Sequence, residues 1–259
     1  MFKKASLFIF ATTLLFTSAN ATTITIACAS NFVTTLQQVV KQYRTTHKDL
    51  DIKIIQGSSS KLANQIKNGI PIDIFLSADK KYAAAVNSKI FVYAYGELVL
   101  AINKNEIKQQ KNLPMLLNNI AKSNLKISIA NPNLAPYGSH AKIFLKEKNL
   151  WNNLTSNQRI IYGENIGQAF SYFITNNAPI AFIAESQVEF YKLANKNKWN
   201  KNYKIYDLDS KAEYIAQYGT VISKDSKKEA QINSFLEYLL HAKPSKKIIK
   251  DMGYSIPSK

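Results

Sequence analysis

Three consecutive serines at Gly57-Ser58-Ser59-Ser60-Lys61-Leu62 combine hydroxyls with a position in the chain where backbone N–H groups run free. The run before them, Leu50 to Gln56, alternates and is rich in β-branched residues, so it reads as a strand. The run after them, Leu62-Ala63-Asn64-Gln65-Ile66, is apolar at helical spacing and stops at Gly69 and Pro71. A turn of this kind offers unpaired first-turn N–H groups, the positive end of a helix dipole and hydroxyl donors, which together suit an anion. Taken alone, it reads first as one serine capping the helix, and Ser58 and Ser60 are assigned that capping and supporting role.

Three further turns share the pattern of strand, small or polar residues, then helix: Ala29-Ser30-Asn31, Pro136-Tyr137-Gly138 and Glu164-Asn165-Ile166. In a doubly wound sheet such turns lie on one edge, so four of them can converge. Their donors carry no charge and suit a compact oxyanion with every oxygen deprotonated, because a protonated oxygen needs an acceptor.

Other chemistries find less support. Asp73 and Asp79 form a pair of acids that would repel an anion, and read as a turn and a cap. His140 reads as a surface helix residue, and His47 and His241 have no metal-ligand spacing. A secreted serine-dependent hydrolase would need a base beside a serine, yet no Gly-x-Ser-x-Gly or Ser–His–Asp set is present. The net charge of +17 could attract nucleic acid or anionic lipid. However, the lysines are scattered, only Arg44 and Arg159 are arginines, and the aromatics fall inside apolar patterns, so no nucleic-acid partner is expected.

The elements that position these residues follow in βα order from Thr22. Strand 24–28 leads to a helix with Phe32, Val33, Leu36, Val39, Val40 and Tyr43 on one stripe; strand 50–56 leads to helix 61–68; Pro71 to Leu76 leads to a helix around 80–87. The β-rich run Val92 to Ile102 breaks the rhythm as a crossing between two lobes. A second series follows: strand 125–130 with a helix over 139–148, Ile160 to Tyr162 with the helix from Ile166, and Ile180 to Ile183 with another helix. Tyr214 to Ile222 is long enough to cross back, and Ser226-x-x-Glu229 is a capping box for the helix through Leu240. The expected fold is α/β and two-lobed, each lobe a mostly parallel sheet flanked by helices with a ligand cleft between. Residues 22–97 with 219–259 form lobe 1, and residues 98–218 form lobe 2.

The first 21 residues stand apart. A basic head at Lys3-Lys4, an apolar run from Leu7 to Phe16 and the small-x-small Ala19-Asn20-Ala21 describe a signal peptide cut after Ala21, giving an exported protein. Cys28 is the single cysteine, so no internal disulfide can form. It reads as a small buried side chain; a lipoprotein anchor is the alternative, although Cys28 lies well past the apolar run.

Several of these motifs together resemble the periplasmic molybdate-binding proteins of ABC transporters. The likeness rests on Ala27-Cys28-Ala29-Ser30-Asn31-Phe32, Gly57 to Leu62, Asn68 to Asp79, Ala130 to Gly138 and Gly163-Glu164-Asn165-Ile166, in that order from Ile24 to the C-terminus. The resemblance implies that Ser30 and Ser59 each give a hydroxyl and N–H to the anion, with Asn31 beside Ser30. It also implies backbone N–H donation from Tyr137 and Ile166. Some members carry a tyrosine ligand where this chain has Ala184, and Asn31 and Tyr137 are the residues placed to replace it. The implied ligand is molybdate or tungstate, with no cofactor and no catalysis. The implied partner is an inner-membrane permease served by a periplasmic monomer, and the implied fold is the type II periplasmic-binding-protein-like one. Sulfate, thiosulfate or another tetrahedral oxyanion is the alternative ligand.

Overall fold

The structure is a computed structural model that describes residues 22–48 and 50–257; the leader and its cleavage point lie outside them. Three βα units open the chain. They are β1 (Thr22–Ala29) with α1 (Val33–Tyr43), β2 (Leu50–Gly57) with α2 (Ser59–Lys67), and β3 (Ile74–Ser77) with the short α3 (Lys80–Ala84). β1 pairs in parallel with both β2 and β3, so all three carboxyl ends share one edge. β4 (Ile90–Asn103) then runs the full width of the molecule. Its first half pairs with β9 (Tyr214–Val221) and its second half with β7 (Ile180–Ala184), the change falling between Glu97 and Leu98. Leu98 to Ile102 are wholly buried, as expected of a strand covered on both faces.

The second series comprises α4 (Leu113–Lys122), β5 (Ile127–Ala130), α5 (Pro136–Glu147), α6 (Trp151–Ser156), β6 (Ile160–Gly163), α7 (Ile166–Ile174), β7, α8 (Glu185–Asn202) and β8 (Tyr203–Tyr206). After β9, α9 (Ser226–His241) and α10 (Lys243–Asp251) return to the first half. The sheet order is β2-β1-β3-β9-β4-β7-β5-β6, with β8 also on β4. The fold is thus a two-lobed α/β structure in which β4 and β9 are the shared antiparallel strands. Each half has its own core: Phe32, Leu36, Ile74 and Phe235 in one, Leu100, Ile129, Phe144 and Phe182 in the other.

Local readings need correction in three places. α4 and α6 occupy stretches for which no element was expected. α2 begins at Ser59 and α5 at Pro136, so Ser59 and Tyr137 belong to first helical turns rather than to loops. α9 is capped by Asp225, whose carboxylate accepts from the Lys227 N–H at 3.0 Å; Ser226 is already helical. Cys28 is wholly buried in β1, as the small buried side chain expected from the sequence, and burial pushes its thiol well above the usual range. Among the described residues, no helix is long and apolar enough to cross a membrane.

One polar network crosses all of these parts. Asn31, between β1 and α1, donates its side-chain amide to Gln217 Oε1 on β9 (2.9 Å), Tyr254 OH (3.1 Å) and, at the limit, Tyr137 OH on α5 (3.5 Å). Tyr254 OH donates to the Asn31 carbonyl at 2.8 Å and lies 3.0 Å from Ser186 Oγ of α8, which donates to the same carbonyl at 3.0 Å. Gly96 on β4 makes room for the cluster, since a Cβ there would overlap the Tyr137 hydroxyl and crowd the Tyr254 ring. Burial holds both phenols above their ordinary range, so they remain O–H donors.

Two predictions follow from this arrangement. Tyr254→Phe leaves the Asn31 carbonyl and amide short of partners and should cost about 1–3 kcal/mol in urea unfolding; a smaller loss would mean that the network is not holding the lobes. Glu185, at the start of α8, has its carboxyl raised from 4.5 to about 7, first by burial and then by Glu97, Glu189 and Asp207, against the pull of Lys192. Between those values the folded chain holds a proton that the unfolded chain lacks, so this group's contribution to stability falls as pH rises through that window. Glu185→Gln should therefore raise the unfolding temperature at pH 8 and do little at pH 5; an equal change at both would contradict the assignment.

Candidate functional site

The carboxyl ends of β1, β2 and β3 are laced together by backbone and serine. The Ser30 N–H donates to the Gly57 carbonyl at 3.1 Å, and Ser59 Oγ accepts from the Ala78 N–H at 3.0 Å. Because Ser59 accepts in that bond, its own hydroxyl proton remains available. Ser59 is the first residue of α2, so its N–H has no partner within the helix.

The second half mirrors this arrangement. Asn131 N–H donates to the Gly163 carbonyl at 2.7 Å, tying the loop after β5 to the end of β6. Pro136 opens α5, and Gly138 lets that helix pack against the Ala130 carbonyl, where a Cβ would collide. Asn165 caps α7 by accepting from the Gln168 N–H at 3.1 Å, which leaves Ile166 as the first helical residue. Gln187 holds that start in place, accepting from the Ala184 N–H at 3.1 Å and donating to the Ile166 carbonyl at 3.0 Å.

All five residues singled out from the sequence, Ser30, Asn31, Ser59, Tyr137 and Ile166, line one cavity. Its volume is about 10 Å³, counted as the space open to the centre of a water molecule. Adding back water's 1.4 Å radius gives a hole of roughly 2.7 Å radius, the scale of one compact ion. Ser58 and Ala78 also line it and were not singled out as ligand residues. Ala78 carries the same signature as the other turns, a small residue between a strand and the capped helix that follows. A wider groove of about 650 Å³ runs alongside over Val33, Phe170 and Phe190 and shares only Ser30 with the cavity.

No ionisable carboxylate or ammonium lines the cavity. The helices α1, α2, α5 and α7 begin beside it and present their positive ends. Asn31 contributes through the turn itself, because its side-chain amide is occupied by the polar network, and the Tyr137 hydroxyl is turned toward that same network. Asp79 caps α3, accepting from the Tyr82 N–H at 3.0 Å, with burial raising its carboxyl. Asp73 accepts from the Thr25 N–H at 2.7 Å and pairs with Lys228 at 3.0 Å. His140 is half-buried rather than a surface residue; its Nδ1–H donates to the Ala212 carbonyl at 2.8 Å, and burial lowers its pKa. No serine at the cavity has a base beside it, and among the described residues no cluster of His, Cys, Asp and Glu could hold a metal ion. The cavity offers uncharged hydrogen-bond donors and no paired serine and base.

The halves touch at several points around the cavity. Ser60 N–H donates to the Leu134 carbonyl at 3.2 Å, Tyr82 OH to the Asn133 carbonyl at 3.2 Å, and Lys61 pairs with Glu164 at 2.9 Å.

Comparison with known proteins gives the family. The molybdate-binding protein ModA of Azotobacter vinelandii is 31% identical over 253 residues, covering 94% of each chain. A putative ABC transporter substrate-binding lipoprotein of Bacillus subtilis, YvgL, is 28% identical over 98% of this chain and 99% of its own. The solved periplasmic molybdate-binding protein of Azotobacter vinelandii superposes with a TM-score of 0.77 at 26% identity, covering 91% of this chain and 100% of that one. A family profile described as bacterial extracellular solute-binding protein matches residues 24–255. With that profile spanning nearly all of the described chain, the protein belongs to the bacterial extracellular solute-binding protein family and is not an enzyme.

Proposed function

We propose that this protein captures molybdate, and tungstate with it, in the periplasm and delivers the anion to the permease of an ABC transporter. The observation that carries the reading is the convergence of four strand-to-helix turns on one ion-sized cavity lined by uncharged donors. The names of the relatives supply the anion. Ser30 and Ser59 give hydroxyls and Asn31, Ser59, Tyr137 and Ile166 give backbone N–H groups. Hydrogen bonds to a charged group contribute roughly 1.5–3 kcal/mol each, so a handful are sufficient for tight binding.

Residues 22–97 with 219–259 act as one lobe and 98–218 as the other, closing by rotation about the β4 and β9 crossings. The closed monomer is the form that docks on the permease. No cofactor takes part.

Calorimetric titration with molybdate, tungstate and sulfate tests the reading, supported by thermal shift, because a tight ligand raises the unfolding temperature by mass action. Molybdate and tungstate should bind far more tightly than sulfate. Ser30→Ala and Ser59→Ala should each weaken molybdate binding by roughly 10- to 100-fold in a chain that still folds. Sulfate binding as tight as molybdate would move the assignment to another tetrahedral oxyanion. Unchanged affinity in both variants would place the site elsewhere.

A further inference from the structure

We infer that the Ser58 hydroxyl is itself a ligand of the captured anion, an inference that rests on the oxyanion reading above. Ser58 holds the N-cap position of α2 with extended backbone, φ −71° and ψ 148°. In that conformation a serine ordinarily turns its oxygen back onto the N–H of the second or third helical residue. Ser58 makes no such bond. Its Oγ is buried and, among the described residues, is one of four buried side-chain polar atoms with no hydrogen-bond partner. The other three, on Thr35, Gln231 and Tyr238, belong to residues that do not line the cavity; Ser58 does, at 2% exposure.

One of the two N–H groups that a Ser58 cap could take is committed across the lobe boundary. The N–H at the second helical position belongs to Ser60, and it donates to the Leu134 carbonyl of the opposite half at 3.2 Å. Ser58 makes no bond to the third-position N–H either, so its hydroxyl is left without a partner in the helix. The neighbouring Ser59 Oγ already accepts from Ala78, so its proton is also free. Two adjacent serines with uncommitted hydroxyl protons thus line a space bordered by helix N-termini and free of carboxylates. The chemical complement of such a surface is an unprotonated oxyanion oxygen. Ser58 is therefore a residue that sets affinity through direct contact, in addition to Ser30 and Ser59.

A cap and a ligand respond oppositely to removal of the hydroxyl, and Ser58→Ala separates them. The parent and the variant would be titrated calorimetrically with molybdate, and their unfolding midpoints recorded without anion. The expected result is at least tenfold weaker molybdate binding, a change of about 1.4 kcal/mol, with an anion-free midpoint equal to or above that of the parent. The midpoint should not fall, because an unpartnered buried hydroxyl has been removed. Binding within twofold of the parent, or a midpoint several degrees lower, overturns the inference and returns Ser58 to a capping or packing role. If the parent binds none of molybdate, tungstate or sulfate, the oxyanion reading itself falls and this inference falls with it; binding by the parent with an unaffected variant removes the inference alone.

Discussion

Buried Asn31 is the residue on which the arrangement of this molecule turns. Its side-chain amide faces Gln217 on a crossing strand, Tyr254 near the C-terminus and Tyr137 on α5, while its backbone carbonyl accepts from Tyr254 and Ser186. Buried groups of this kind are costly if left unpaired, at roughly 1–3 kcal/mol for each. The network can therefore be satisfied only when both halves, the crossing strands and the C-terminal segment are all in place. It fixes the backbone of the first turn at the cavity, and Asn31 and Tyr137 belong to both the network and the cavity lining. Gly96 belongs to the same constraint, because the crossing strand must pass where any side chain would displace the Tyr137 hydroxyl.

A second constraint is electrostatic. The chain carries a net charge of +17, yet no lysine or arginine lines the cavity. A buried ammonium would carry a large desolvation cost of its own and would hold an anion as a point charge with little directional preference. Helix N-termini and hydroxyls supply positive potential without a net charge, and their fixed directions register the number and placement of an anion's oxygens. The surface lysines then act at longer range, raising the encounter rate with anions in a salt-dependent way.

How much of this was legible in the sequence depends on how local each signal is. The strand-to-helix turns could be read because the change from alternating to helical spacing occurs within a few residues, as at Gln56 to Leu62. The β4 crossing was visible as a long run with no helical spacing. By contrast, Tyr254 gave no sign of its place beside Asn31, since the two are separated by 223 residues and the segment around Tyr254 has no pattern of its own. The capping readings failed for a related reason. Ser226 and Ser58 both carry the residue type of a cap, but Asp225 sits one position earlier in the first case, and in the second one of the two candidate N–H groups is bonded to Leu134 across the boundary between halves. His140 looked exposed because its carbonyl partner, Ala212, is contributed by a distant connection.

The contacts between the halves bear on how closure and binding are linked. Lys61 and Glu164 are substantially exposed, and an exposed pair of this kind contributes only about 0–1 kcal/mol. The bonds from Ser60 and Tyr82 to loop carbonyls exchange for bonds to water when the halves separate, so their net contribution is also small. Against these weak attractions, closure brings together the positive ends of α1 and α2 from one half and α5 and α7 from the other. Each end carries the equivalent of about half a positive charge, and together they repel across a small, poorly solvated space. A doubly charged anion placed there converts that repulsion into four attractions. On the proposed reading, closing the lobes and holding the anion are a single event, because the same helix ends that oppose an empty closure are the ones that bind the ligand.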